Sequence, residues 1–178
     1  TFLFNPILDL FMRIIPFVII MSLFSLPLIT QAAGLNNKND VRPVIGWLEN
    51  VGLEDANFIM KARIDTGAGL ASLNAQVMEI KRSKNGSERV VFSVQDASGR
   101  KTILERPVEK WVNIKKKGNT GFMKRPVVKL VMCLGGKKVR ARVNLADRSG
   151  FLYPMLIGRN VLKAGDFMID PQTTYTHE

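Results

Sequence analysis

The residues whose types and spacing carry the most chemistry are Asp65, Thr66 and Gly67. They follow the apolar strand-like run Ala62-Arg63-Ile64 and precede Ala68, which puts a carboxylate at a strand end in a tight glycine turn. Such a carboxylate is suited to acid–base work on water when a second one stands beside it. At close range the two cannot both ionise, so they share one proton and activate a water between them. The sequence supplies one Asp-Thr-Gly and no second copy. The partner carboxylate therefore comes either from a second copy of the chain or from the same chain. A two-fold axis is the economical solution, being the commonest oligomer symmetry. Within the chain Asp147 leads and Asp170 is next, although turn chemistry is the ordinary role of Asp at such positions.

Other chemistries are poorly served. Cys133 is the only cysteine and His177 the only histidine, one residue from the C-terminus. That argues against a zinc site, which needs several Cys, His and carboxylate ligands converging. It also argues against a Ser-His or Cys-His pair, unless the tail folds back into a pocket. No Gly-x-x-x-x-Gly-Lys-[Ser/Thr] loop is present to hold nucleotide phosphates. The expectation is no metal, no nucleotide and no other cofactor.

The charge is uneven. The chain of 178 residues has a net charge of +11, and Lys110 to Ala146 contains no Asp or Glu. Eleven Lys and Arg residues fall in that stretch, leaving 15 basic against 15 acidic residues elsewhere. One face should be strongly cationic, either simply as a solvated face or as a surface for an anionic partner over residues 110–142: phospholipid headgroups, acidic glycans or an acidic peptide. Nucleic acid is not expected, because no aromatic-studded binding strand accompanies the charges.

The elements that must hold these residues are short. Residues 1–33 read as a signal peptide starting at Met12, with a basic start, an apolar core and small residues at Ala32-Ala33, or else as an uncleaved N-terminal anchor. Either way export is expected, to a periplasm or to its membrane. Residues 34–42 are a polar linker, 43–170 the folded domain and 171–178 a tail. Strands are expected at Val44–Leu48, Asn57–Ile64, Leu70–Ile80, Arg89–Val94, Lys101–Glu105 and Tyr153–Gly158, with a last one at Phe167–Ile169. The clearest hairpin joins Val127–Leu134 to Lys137–Leu145 through Gly135-Gly136. In its second arm Val139, Ala141, Val143 and Leu145 share one face, and Lys138, Arg140, Arg142 and Asn144 the other. Arg159 to Lys163 is one helical turn. The fold class is all-β.

Ile64 to Ala68, taken with Leu156-Ile157-Gly158-Arg159-Asn160-Val161-Leu162, resembles the paired signatures of retropepsin-like aspartic peptidases. Ile45 to about Tyr175 is similar to a bacterial family often labelled "putative ATP-dependent zinc protease", through Lys61 to Ala68, Asp147 to Arg159 and the following Asp170-Pro171. The resemblance implies a closed retropepsin-like barrel acting on a protein or peptide, with Asp65 as catalytic carboxylate. It implies that Thr66 braces the paired loops through its hydroxyl, and that Gly67 and Ala68 present N–H groups to the carboxylate. Leu156, Ile157 and Gly158 form the strand behind the loop. In retropepsins the Arg after this Gly pairs with an acidic residue just after the catalytic turn; Gly69-Leu70-Ala71 offers Arg159 none. The label's zinc and ATP find no support in these residues. A mobile flap belongs at Asn113 to Phe122, with Trp111 and Phe122 packed at its base. The function expected is an aspartic endopeptidase with one carboxylate per subunit of a homodimer; the alternative is a non-catalytic module that holds an anionic envelope partner on its cationic face.

Overall fold

The computed structural model of the protein describes residues 41–115 and 121–177. The expected signal or anchor, most of the linker and residues 116–120 at the expected flap tip lie outside the described residues. Eleven strands alternate with tight turns: β1 (Val44–Leu53), β2 (Phe58–Ile64), β3 (Ala71–Asn74), β4 (Gln76–Arg82), β5 (Glu88–Gln95), β6 (Lys101–Pro107), β7 (Lys110–Lys115), β8 (Phe122–Leu134), β9 (Lys137–Ala146), β10 (Met155–Ile157) and β11 (Met168–Thr174). Among the described residues one α-helix, α1 (Arg159–Gly165), precedes the last strand.

Eight strands form one sheet in the order β11-β1-β2-β10-β3-β9-β8-β7. Pairing of β1 with β8 at Gly52 and Leu53 closes six of them, β1, β2, β10, β3, β9 and β8, into a barrel. The period-2 alternation of the sequence dictates which side chains fill it. Phe58, Met60, Ala62 and Ile64 of β2 point in, whereas Ile59, Lys61 and Arg63 are exposed. On β9 the expected face of Val139, Ala141, Val143 and Leu145 is buried. Between β8 and β9 the chain turns on Gly135 and Gly136 with φ of 56° and 71°, a left-handed pair that a glycine dipeptide adopts without the Cβ penalty. The remaining strands, β4-β5-β6, make a small antiparallel sheet whose Val90, Phe92, Val94 and Leu104 join the same core.

Several expectations change in detail. Leu70–Ile80 is not one strand. Ala75 donates its N–H to Ala146 O at 3.0 Å, and beyond it the chain leaves the barrel to pair with β5. The β4 sequence Gln76-Val-Met-Glu-Ile-Lys-Arg82 carries no apolar stripe that could line a barrel, and it lies largely exposed. Asn144 is buried rather than on the outer face of β9. Its amide donates to Ala71 O at 2.7 Å and accepts from Ser72 Oγ at 3.1 Å, so it ties β9 to β3. The helical turn runs on to Gly165. The expected tail is also partly strand, since β11 extends through Thr174.

What holds that C-terminal stretch is a buried carboxylate. Glu49, fully inaccessible on β1, accepts from Gly46 N and from Thr176 Oγ1, both at 2.6 Å, and from Thr176 N at 3.1 Å. Tyr175 N donates to Leu48 O at 2.8 Å. Charge-assisted bonds of this kind are about twice as strong as neutral ones, and they satisfy an ion that would otherwise be costly to bury.

Candidate active site

Asp65 sits where β2 ends. Its N–H donates to Ile157 O of β10 at 2.9 Å, so the turn is welded to the strand behind it. Oδ1 accepts from Gly67 N at 2.9 Å and from Ala68 N at 3.1 Å. Two backbone donors on one oxygen fix the plane of the carboxylate. Among the described residues Oδ2 receives no hydrogen bond. Asp65 is partly accessible, and Thr66 and Gly67 beside it are exposed.

Topology places β10 between β2 and β3, parallel to the first and antiparallel to the second. The Asp65 turn therefore leaves on one side of β10 and returns on the other. Gly158 stands at the crossing. A Cβ there would lie 2.7 Å from the Leu70 carbonyl carbon and 3.0 Å from Ala68 O, so only glycine lets the returning chain pass. The next residues clamp the turn. Arg159 N donates to Ala68 O at 2.9 Å, and Arg159 Nη1 donates to the carbonyls of Thr66 and Gly67, both at 2.7 Å. Asn160 Oδ1 accepts from Ala71 N at 2.9 Å while its amide donates to Arg142 O at 2.8 Å. Arg159 thus binds the turn's own carbonyls in place of the acidic residue that the sequence lacks.

A model of the RimB-like family, described as retropepsin-like aspartic endopeptidase RimB, matches residues 44–178. The chain belongs to this family. A crystal structure of protein Lpg0085 of Legionella pneumophila, of unknown function, aligns with a TM-score of 0.63 at 35% identity, over 75% of this chain and 96% of that one. Curated relatives named probable alpha-L-glutamate ligase, from Shewanella pealeana and Shewanella halifaxensis, are each 29% identical over 119 residues, 65% of this chain. The matched stretch spans a quarter of the length of those ligases, 25% in each case.

Within this retropepsin-like frame the expected supporting residues Leu156, Ile157 and Gly158 stand behind the Asp65 turn. The two candidate second carboxylates are each engaged in a turn of their own. Asp147 Oδ1 accepts from Ser149 N at 2.9 Å and Ser149 Oγ at 2.7 Å. The Ser149 hydroxyl first, and Arg125 as a lesser cause, hold Asp147 below the ordinary carboxylate range. Asp170 lies on β11, paired with Gly46, and accepts from Gln172 N at 2.9 Å. Among the described residues neither is hydrogen-bonded to the Asp65 turn.

The β7–β8 hairpin occupies the expected flap region, with Lys110 opposite Val127 and Lys115 opposite Phe122. Its expected tip, Gly118-Asn119-Thr120-Gly121, falls almost entirely outside the described residues. Trp111 anchors the base: its indole N–H donates to Glu88 Oε2 at 2.7 Å, and Lys124 lies over its ring at 4.9 Å. Phe122 does not pack there. It sits at the far end of the hairpin and is 65% exposed, because each residue added beyond Trp111 carries the ladder away from the core.

Arg148 is a residue the sequence reading passed over, although it lies within the Asp147-to-Arg159 motif. It is half-buried, its ring neighbour Phe151 is 4.5 Å away, and its N–H donates to Asn74 Oδ1 at 2.7 Å. Burial first, then the charge of Arg125, pull it below the usual guanidinium range, while the Asp65 carboxylate opposes that fall. A cation therefore stands within electrostatic reach of Asp65. The cationic segment also opens onto the turn. A groove of about 870 Å³ runs from Ala68, Gly69 and Leu70 past Lys129, Arg140 and Arg142. Glu109 neutralises part of it, at 3.0 Å from Lys129 and 3.8 Å from Arg142. Among the described residues no cluster of His, Cys, Asp and Glu has the makings of a metal site.

Proposed function

We propose that the protein is an aspartic endopeptidase in which Asp65 and its mate in a homodimer share one proton across a two-fold axis. The observation that carries this is the Asp65 carboxylate itself, with one oxygen fixed by Gly67 and Ala68 and the other unspent in an exposed turn. One carboxylate of the pair takes a proton from a bound water as the oxygen attacks the scissile carbonyl. The other gives its proton to the carbonyl oxygen; as the carbon–nitrogen bond breaks, the first returns its proton to the leaving nitrogen and the other takes one back from a hydroxyl of the collapsing tetrahedral carbon. Thr66 braces the two turns against each other, and Arg159 keeps each turn rigid. No metal, nucleotide or other cofactor enters. Sedimentation of the full chain tests the pairing: a dimer is expected, and a fully active monomer would return Asp147 or Asp170 to consideration.

The substrate we infer is a peptide with acidic side chains beside the cut bond. Support comes from the Lys129, Arg140 and Arg142 groove that opens at the Asp65 turn, and from the relatives named probable alpha-L-glutamate ligase. Opposite charge in a cleft raises both encounter rate and selectivity. Glutamate-rich peptides should be cut in preference to neutral ones, and Arg140→Gln with Arg142→Gln should raise KM about tenfold while kcat holds. Equal cleavage of both peptide classes would remove the inference. The segment before residue 41 is proposed to direct export, so that the substrate lies in the envelope. A second reading uses the same cationic face to hold an anionic envelope partner without hydrolysis. Asp65→Asn separates the two, abolishing cleavage in the first and leaving partner binding intact in the second.

A further inference from the structure

A second cationic recess lies on the other side of β3. It measures about 520 Å³ and is walled by Asn74 and Gln76 at the β3–β4 joint, Lys101 of β6, Lys124 and Arg125 of β8, and Ser149 after β9. None of the residues of the Asp65–Gly69 turn lines it. Its lining side chains offer mostly donors. Asn74 commits its amide oxygen to Arg148 N–H, which leaves its NH2 group for the recess. Ser149 engages one oxygen of Asp147, the one carboxylate on the wall, whose charge Arg125 also feels. Three cations, Lys101, Lys124 and Arg125, line the recess against one carboxylate.

Arg125 is the telling residue. Its Nε is buried and has no hydrogen-bond partner, the one such side-chain atom among the described residues. Leaving a buried guanidinium donor unsatisfied costs more than an ordinary bond contributes, and native proteins seldom leave one without a reason. Arg148 lies near enough for its charge and that of Arg125 to repel. A guanidinium with an orphaned donor on the wall of a cationic recess suits an anion with planar or tetrahedral oxygens.

We propose that the Arg125 recess binds a small oxyanion, a carboxylate or a phosphate, at a site separate from the Asp65 cleft. The ion would join β8, the strand that carries the flap hairpin, to the β3–β4 joint and the Asp147 turn. Its occupancy then fixes the base of that hairpin.

The experiment is calorimetric titration of the full chain at constant ionic strength, with inorganic phosphate in one arm and sodium glutamate in the other, chloride being the control. Saturable binding in either arm is expected, with a component weakened at least tenfold by Arg125→Gln and by Lys101→Ala; in the phosphate arm it is unchanged by Arg140→Gln in the other groove. The arm that saturates names the source of the oxyanion. Thermal unfolding without added anion supplies the second readout. Arg125→Gln should unfold no earlier than the parent, since it removes an unpaired donor and a repulsion. Absence of saturable binding, binding indifferent to Arg125→Gln, or a marked anion-independent loss of stability in that variant would each overturn the proposal.

Discussion

The Nη1 of Arg159 lies 2.7 Å from the carbonyl oxygen of Thr66, so a residue at the start of α1 holds the turn that carries Asp65. The same nitrogen reaches Gly67 O, and a planar guanidinium serves two carbonyls in a way that an ammonium on a flexible stem cannot reproduce. Arg159→Lys should therefore keep the fold and lose at least about tenfold in peptide cleavage through a loosened turn. Arg159→Ala should also lower stability by about 1–3 kcal/mol, read by urea unfolding. Wild-type activity in both variants would show that the grip is incidental.

Gly158→Ala tests the crossing behind the turn. The added methyl meets backbone rather than a movable side chain, 2.7 Å from the Leu70 carbonyl carbon. The chain must shift, at a cost of about 1–3 kcal/mol. Cleavage should fall with it, because the displaced segment is the one that Arg159 and Asn160 pin. The checks are a thermal melt and an assay on the same preparation.

Removing Thr176 and the residues after it should leave the Glu49 carboxylate buried with Gly46 N as its remaining described partner. The expected loss is about 1–3 kcal/mol, and Thr176→Val should show part of it. Glu49→Gln in the truncated chain should restore some stability, since a neutral amide is cheaper to bury than an unpaired ion. Additive effects in a double-mutant cycle would contradict the link between the two residues.

The small sheet gives the protein a predictable response to pH. The bond from Arg82 first, then that from the Trp111 indole, holds Glu88 below its ordinary 4.5. Lys81 and then Arg89 do the same for Glu105, and the Ser98 hydroxyl leads in lowering Asp96 below 3.8. A carboxylate whose folded pKa is depressed contributes stability above its unfolded value and loses it as pH falls through the folded one. Lys81, raised above 10.5 by its bond to Glu105, contributes below that value and is lost as pH rises through the folded one. Stability should be flat through neutral pH and fall on the acid side below the usual carboxylate range. Their basic partners Lys81, Arg82 and Arg100 are exposed, so added salt should shrink the acid-side change. Glu88→Gln with Glu105→Gln should shrink it further, measured by urea midpoints against pH.

Residues with a local signature could be read before any fold was known. The alternation of β9 named its buried apolar face, Gly135-Gly136 named the hairpin, and Asp65-Thr66-Gly67 with Leu156-Ile157-Gly158 marked a turn and the strand that packs behind it. What stayed hidden depended on neighbours distant in the chain. Asn144 looked like an outward polar residue because its partners Ser72 and Ala71 are about seventy positions away. Leu70–Ile80 looked like one strand because nothing local says that Ala75 leaves one sheet for another. Arg125 and Arg148 looked like ordinary members of a basic protein until burial singled them out.

The central claim is that Asp65 performs the chemistry. It is tested most directly by following cleavage of a glutamate-rich peptide by the wild type and by Asp65→Asn, each shown by its melting curve and sedimentation to keep the same fold and assembly. The isosteric amide still accepts from Gly67 and Ala68 but cannot share a proton with its mate. Cleavage by the wild type and none by Asp65→Asn is the predicted result; cleavage by Asp65→Asn at the wild-type rate would contradict it.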